Sequence, residues 1–325
     1  MIPQLAAEGK LEPLDGYLEE YSEEYGLDAI NENMSGAMTY DGKLYGLPMQ
    51  AQMLIMAYRK DVFDKLGIEP PTTFAEMRDA AKKIQDEGEI EYPIALPLLA
   101  SADIVTAYDA ALGSLGVDLV DADAMTANLD SPESTQALEE LISLKPFMDP
   151  QVTTFDQPAV QQQMYNGSAA MSIMFSGRMN DLTLESNSQF AKDMDFAAPP
   201  SVDGGEALYN TVSVDGWSIP ANAKNDKDML FEMISSSVSE KASKASLPAA
   251  YPARDGMVTE SSMPFAAAAN ESIANVPPSE PYPWTAEISN AITPIVGNVV
   301  TGKTPVAQGT QQMQAAAEKI LAEYK

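Results

Sequence analysis

Short apolar runs alternate with capped, amphipathic segments along most of this chain, and that alternation limits the fold more than any single residue does. Leu54 to Tyr58, Tyr92 to Leu96, Ala170 to Met174 and Thr211 to Ile219 read as strands. Between them lie helix signals. Thr73 and Glu76 stand at capping-box spacing, and Phe74, Met77, Ala81 and Ile84 recur on one face before Gly88. Ser131 and then Pro132 open a segment through Leu144. Thr304 and Pro305 open a closing helix striped with Met313, Ala317, Ile320 and Leu321. Strands alternating with helices of roughly 10 to 15 residues predict an α/β architecture. No internal repeat and no low-complexity segment interrupts the pattern. The Pro-rich run Val276 to Trp284 ends on aromatics and reads as an ordered loop, not a linker.

The chain has 325 residues, room for two domains. It carries 48 acidic against 19 basic side chains, a formal charge of −29. Phosphate recognition needs clustered positive charge, so this balance argues against nucleic acid and against an anionic membrane surface. There is no cysteine and no histidine. A thiolate nucleophile, a zinc–sulfur site and a Ser-His-Asp triad are therefore all excluded. Catalysis by carboxylates alone stays open. No apolar run reaches the length of a membrane span. Met1-Ile2-Pro3-Gln4 lacks the basic and apolar regions of a signal peptide.

Motifs with specific chemistry are scarce. Asp203-Gly204-Gly205 lacks the Lys-Ser or Lys-Thr that would complete a phosphate loop. The acidic pairs Glu19-Glu20 and Glu23-Glu24 have the spacing of a solvated helix face. No cofactor and no metal site is expected.

An ordered series of segments is more informative. Gly9-Lys10-Leu11-Glu12-Pro13-Leu14-Asp15 is followed by Tyr40-Asp41-Gly42-Lys43-Leu44-Tyr45-Gly46-Leu47-Pro48. Then come Tyr58-Arg59-Lys60-Asp61-Val62-Phe63, Leu66-Gly67-Ile68 and Pro70-Pro71-Thr72-Thr73-Phe74. Asn166-Gly167-Ser168-Ala169-Ala170-Met171, Gly177, Asp215-Gly216-Trp217-Ser218-Ile219-Pro220, Tyr251-Pro252-Ala253-Arg254 and Gly302-Lys303-Thr304-Pro305 complete the order. The series resembles family 1 extracellular solute-binding proteins of ABC importers, the group containing the maltose-binding protein, over nearly the whole chain.

The resemblance implies a two-lobed, periplasmic-binding-protein-like α/β fold with discontinuous lobes joined by hinge crossings. The N-terminal lobe would hold 1–52 and 216–255, the other 56–210 and 260–325. It also implies that a strand, a helix and a second strand normally precede the segment matching Leu5 to Leu14, so the first lobe's sheet is expected to lack central members. A small polar ligand, a sugar or sugar derivative, would bind between the lobes and be delivered to the permease subunits of an ABC transporter. The protein would be a monomer outside the cytoplasm, periplasmic or otherwise extracytoplasmic. The alternative is a carboxylate-dependent carbohydrate-active enzyme; a product lacking part of its cleft and binding nothing is a third reading.

Segment by segment, the resemblance points to nine candidate ligand residues. Gln50 and Gln52, at the first crossing, would meet ligand hydroxyls or else brace hinge backbone. Asp103 and Tyr108 follow the Tyr92 strand; each has an ordinary reading too, a solvated loop acid and a core aromatic. Arg178 stands where many relatives have a stacking Trp, and would bind an anionic ligand group or pair with one of the many acids. Asp215 and Trp217 straddle the second crossing, and Trp217 and Trp284 are the candidate stacking rings, against a reading as core. Arg254 would contact ligand or pin the third crossing.

Overall fold

The computed structural model describes residues 1–275 and 282–325, so residues 276–281 of the expected Pro-rich loop lie outside the described residues. Among the described residues the strands are β1 (Thr39–Tyr40), β2 (Lys43–Leu44), β3 (Leu47–Arg59), β4 (Ile94–Ala95), β5 (Val120–Asp121), β6 (Thr126–Ala127), β7 (Met171–Phe175), β8 (Met194–Ala197), β9 (Val212–Trp217) and β10 (Tyr251–Pro252). They divide between two compact units. The first comprises Met1–Gln52, Val212–Ala266 and 282–286; the second comprises Met53–Thr211, 267–275 and Glu287–Lys325. Residues 260–266 and 282–286, expected in the second lobe, belong to the first unit. Met263, Phe265 and Ala266 anchor the former stretch by burial, each no more than 3% exposed.

In the first unit, β1 and β2 form a hairpin with Thr39 opposite Leu44. Its Asp41-Gly42 turn has both residues at positive φ, 48° and 71°, the two-residue turn that matches strand twist. The first half of β3 pairs antiparallel with β10, Ala51 facing Tyr251 and Gln50 facing Pro252. Strand β9 also pairs with β3. Helices Asp15–Tyr25 and Lys227–Ser237 meet through aromatics: the Phe231 ring lies 5.2 Å from Tyr17 and 5.7 Å from Tyr21. The acidic pairs of the first of these helices, Glu19-Glu20 and Glu23-Glu24, are all exposed, as expected of a solvated face.

The second unit is built on the other half of β3, flanked antiparallel by β7 (Leu54 opposite Phe175 to Tyr58 opposite Met171) and β8 (Met56 opposite Ala197 to Arg59 opposite Met194). Strand β4 adds in parallel to β7. Ile55, Met56 and Ala57 are fully buried, as expected of a strand covered on both faces. Helix Phe74–Asp86 starts as expected, with the Thr73 hydroxyl accepting from Glu76 N at 3.2 Å. The reciprocal bond falls one residue early: Glu76 Oε2 accepts from Thr72 N, not Thr73 N, at 2.8 Å. Phe74, Met77, Ala80, Ala81 and Ile84 are its buried face. Helix Pro132–Leu144 has its Ser131 cap, and Val306–Leu321 buries Met313, Ala317 and Leu321. The strand expected over Tyr92 to Leu96 shrinks to Ile94–Ala95, because Pro93 has no N–H to give a ladder.

Candidate functional site

Period-two geometry puts Gln50 and Gln52 on one face of β3, with Ala51 and Met53, both essentially buried, on the other. It likewise puts Asp215 and Trp217 on one face of β9. The two faces coincide. Gln50 Nε2 donates to Asp215 Oδ2 at 2.9 Å and Gln52 Nε2 donates to the same oxygen at 2.7 Å. Both amides are thereby turned with their nitrogens toward the carboxylate. Their Oε1 atoms and Asp215 Oδ1 have no hydrogen-bond partner among the described residues. The three residues are half-buried, and Trp217 is 46% exposed. The first unit therefore presents three acceptor oxygens beside an open indole face. That combination suits a ligand rich in hydroxyl donors with an apolar C–H face.

In the second unit, Arg178 and Gln161 bond reciprocally: Arg178 Nη1 donates to Gln161 Oε1 at 3.0 Å, and Gln161 Nε2 donates to Arg178 O at 3.1 Å. No carboxylate is within ion-pair distance of Arg178 among the described residues. Asp103, at the start of helix Asp103–Ser114, is half-buried. Burial raises its pKa, the charge of Asp156 adds to that, and Arg178 works the other way. Asp156, Gln157 and Gln161 were not among the sequence candidates. The only signal that could have found them is the polar run Gln161-Gln162-Gln163 inside a helix.

Three candidates sit differently. Tyr108 is fully buried with its hydroxyl 2.7 Å from Ser134 Oγ, so it is a core ring out of reach of solvent. Arg254 is 7% exposed. Its Nη1 donates to Gly26 O (2.6 Å), and Nη2 donates to Tyr25 O and Val238 O, both at 3.0 Å. These carbonyls close helices Asp15–Tyr25 and Lys227–Ser237, where the helix dipole favours a cation. The guanidinium pins two helix ends. Trp284 stacks on Tyr282, ring centroids 4.7 Å apart and planes 4° from parallel. A cavity of about 280 Å³ in the second unit is bordered by Arg59, Asp61, Lys65 and Glu89. Those charges already pair with each other: Arg59 with Asp61 and Lys65 with Glu89, both at 2.6 Å.

The bacterial extracellular solute-binding protein family model matches residues 1–235. The chain belongs to that family. Among solved structures, it is similar to maltose-bound T. maritima MalE3, with a TM-score of 0.84 at 20% identity, covering 100% of this chain and 82% of that one. It also superposes on a Thermotoga lettingae ABC transporter solute-binding protein bound with α-D-tagatose, with a TM-score of 0.85 at 24% identity, covering 98% and 82%. The fold is accordingly the two-lobed, periplasmic-binding-protein-like α/β fold. A maltotriose-binding protein of Pyrococcus abyssi is 28% identical over 173 residues, 53% of this chain and 35% of its own. The matched segment is less than half the length of such curated relatives.

Proposed function

We propose that this chain binds a small polyhydroxylated ligand, a sugar or polyol, and delivers it to the permease subunits of an ABC importer outside the cytoplasm. The observation that carries the reading is the convergence of Gln50 and Gln52 on one oxygen of Asp215, with Trp217 open on the same face. Donor-rich ligand hydroxyls fit the three acceptor oxygens left over, and the indole supplies apolar contact for ring carbons. Similar proteins that bind maltotriose, maltose and tagatose support the ligand class. No catalytic step is assigned, since neither the family nor the acceptor cluster calls for one.

A thermal-shift screen of neutral sugars, polyols and sugar acids tests the ligand class, because a ligand that binds only the folded state raises Tm with the logarithm of its concentration over Kd. Binding of a neutral sugar or polyol is the expected result. Turnover of a bound sugar at catalytic protein concentration would instead restore the enzyme alternative. Arg178→Ala separates ligand charge. It should leave affinity for a neutral ligand within about twofold and cost tenfold or more, about 1.4 kcal/mol, only for a carboxylate-bearing one.

A further inference from the structure

Asn210 is 2% exposed, and its side-chain amide holds together three chain segments that are far apart in sequence. Oδ1 accepts from Leu54 N at 2.9 Å and from Thr211 N at 2.9 Å, and Nδ2 donates to Ser272 O at 2.9 Å. All three partners lie in the second unit, and each stands close to a passage of the chain between units. Leu54 follows the first passage, Thr211 is the last residue before the second, and Ser272 follows the third. The Ser272 carbonyl is in the last turn of helix Ala266–Ala274, where it also accepts from Asn275 N at 3.2 Å. Oδ1 takes two amide protons that the sheet leaves over. The amide thus stands beside the acceptor cluster, just past Gln52 on β3 and just before β9.

We infer that Asn210 is a positioning residue for the proposed ligand site. It sets the register in which β3 presents Gln50 and Gln52 and β9 presents Asp215 and Trp217. This inference rests on the ligand reading above for its functional meaning. Leu54 is two residues beyond Gln52, and Thr211 is four residues before Asp215, so a bond common to both ties the middle of β3 to the start of β9. Only an amide satisfies the arrangement, since it accepts twice through one atom and donates through the other. A carboxylate at this position keeps the acceptor and loses the donor; an alanine loses both.

The test is made on the ligand-free chain, so that it stands or fails separately from the identity of any ligand. Side-chain amide NMR signals of Gln50 and Gln52 are compared in wild type, Asn210→Ala and Asp215→Ala, with hydrogen exchange followed at Leu54 and Thr211. Asp215→Ala defines the signals of glutamines without their shared acceptor. In Asn210→Ala, exchange at the two backbone amides should speed up by about tenfold or more, and the glutamine signals should move to the Asp215→Ala positions. Wild-type glutamine signals in a folded Asn210→Ala chain would overturn the inference, leaving Asn210 a local fastener. Should Asn210→Ala fail to fold, Asn210→Asp decides. Retention of protection at Leu54 and Thr211 together with wild-type glutamine signals supports the inference, and displaced glutamine signals despite retained protection overturn it. Absence of sugar or polyol binding in the wild type, with these signals as expected, would remove the proposed function and leave the positioning role intact.

Discussion

Trp217 is held through its backbone in β9 while its ring stays open, and this sets what its removal should do. Trp217→Ala is expected to lower ligand affinity by about 1–3 kcal/mol through lost apolar contact, measured by calorimetry with the sugar or polyol found by screening. Its Tm should stay near the parent's, because exposed positions contribute little to stability. Arg254 predicts the reverse. Its guanidinium donates to three carbonyls in a buried setting, so Arg254→Met should cost about 3 kcal/mol or more in denaturant unfolding while molecules that still fold bind normally. A third residue ties stability to pH. Burial, with the charge of Asp118 added, pushes the Asp109 carboxyl from 3.8 up to about 6. The native state therefore holds this proton more tightly than the unfolded chain does. Stability from this group is greatest below about pH 4, declines as pH rises through the window to about 6, and is level above it. Asp109→Asn should then raise stability by about 1–2 kcal/mol at pH 7.5 and leave it unchanged at pH 3.5, read by thermal unfolding at the two pH values. At this scale the sequence was only partly informative. The order of motifs pointed to Gln50, Gln52, Asp215 and Trp217, but an Arg that feeds helix ends, Arg254, and one bonded to a single glutamine, Arg178, look the same in one dimension.

Elements were more legible, because caps and periodicity are local. The Thr73 cap and the apolar stripe of helix Phe74–Asp86 could be read directly, and Thr73→Ala should cost about 1 kcal/mol of unfolding free energy. Strand β3 was harder. Its buried half declares itself by an unbroken apolar run, whereas its first half alternates Gln50 and Gln52 with Ala51 and Met53 and offers too short a pattern to stand out. Pairings set by residues more than a hundred positions apart, such as Leu54 with Phe175, leave no trace in any window of the sequence. Close approach of elements is equally hidden until seen. A Cβ on Gly297 would lie 2.4 Å from Ala100 O, so helix Thr285–Val300 can approach that backbone only because residue 297 has no side chain. Gly297→Val should destabilise the second unit by about 1–3 kcal/mol through overpacking, visible as a lowered urea midpoint with an unchanged m-value.

The whole molecule carries 29 more negative than positive charges. Several of its ion pairs, such as Lys60 with Asp64 and Lys82 with Asp86, lie on exposed helix faces where they contribute little. Self-repulsion should therefore dominate the response to salt: Tm is expected to rise between 10 mM and 500 mM NaCl, as the screening length falls from about 30 Å to under 10 Å. A Tm that falls with salt would mean that the pairs outweigh the repulsion. At this scale the two-lobed family fold was legible from the order of motifs, while the places where 260–266 and 282–286 belong were not, since burial of Met263 and Phe265 is decided by distant partners.

The closing helix has a consequence for how the chain is made. Gln314 receives Leu129 N at 2.8 Å and donates to Ala127 O at 2.8 Å, and Glu318 receives Ala127 N at 2.9 Å, so β6 and the lead-in to helix Pro132–Leu144 are completed by residues 185 to 191 positions further along the chain. The segment around β6 stays uncovered until Val306–Leu321 has left the ribosome. Domain-by-domain folding during translation, available to chains whose units follow one another in sequence, is closed to this one. A nascent chain arrested just before Val306 should therefore be far more sensitive to protease than one extended past Leu321.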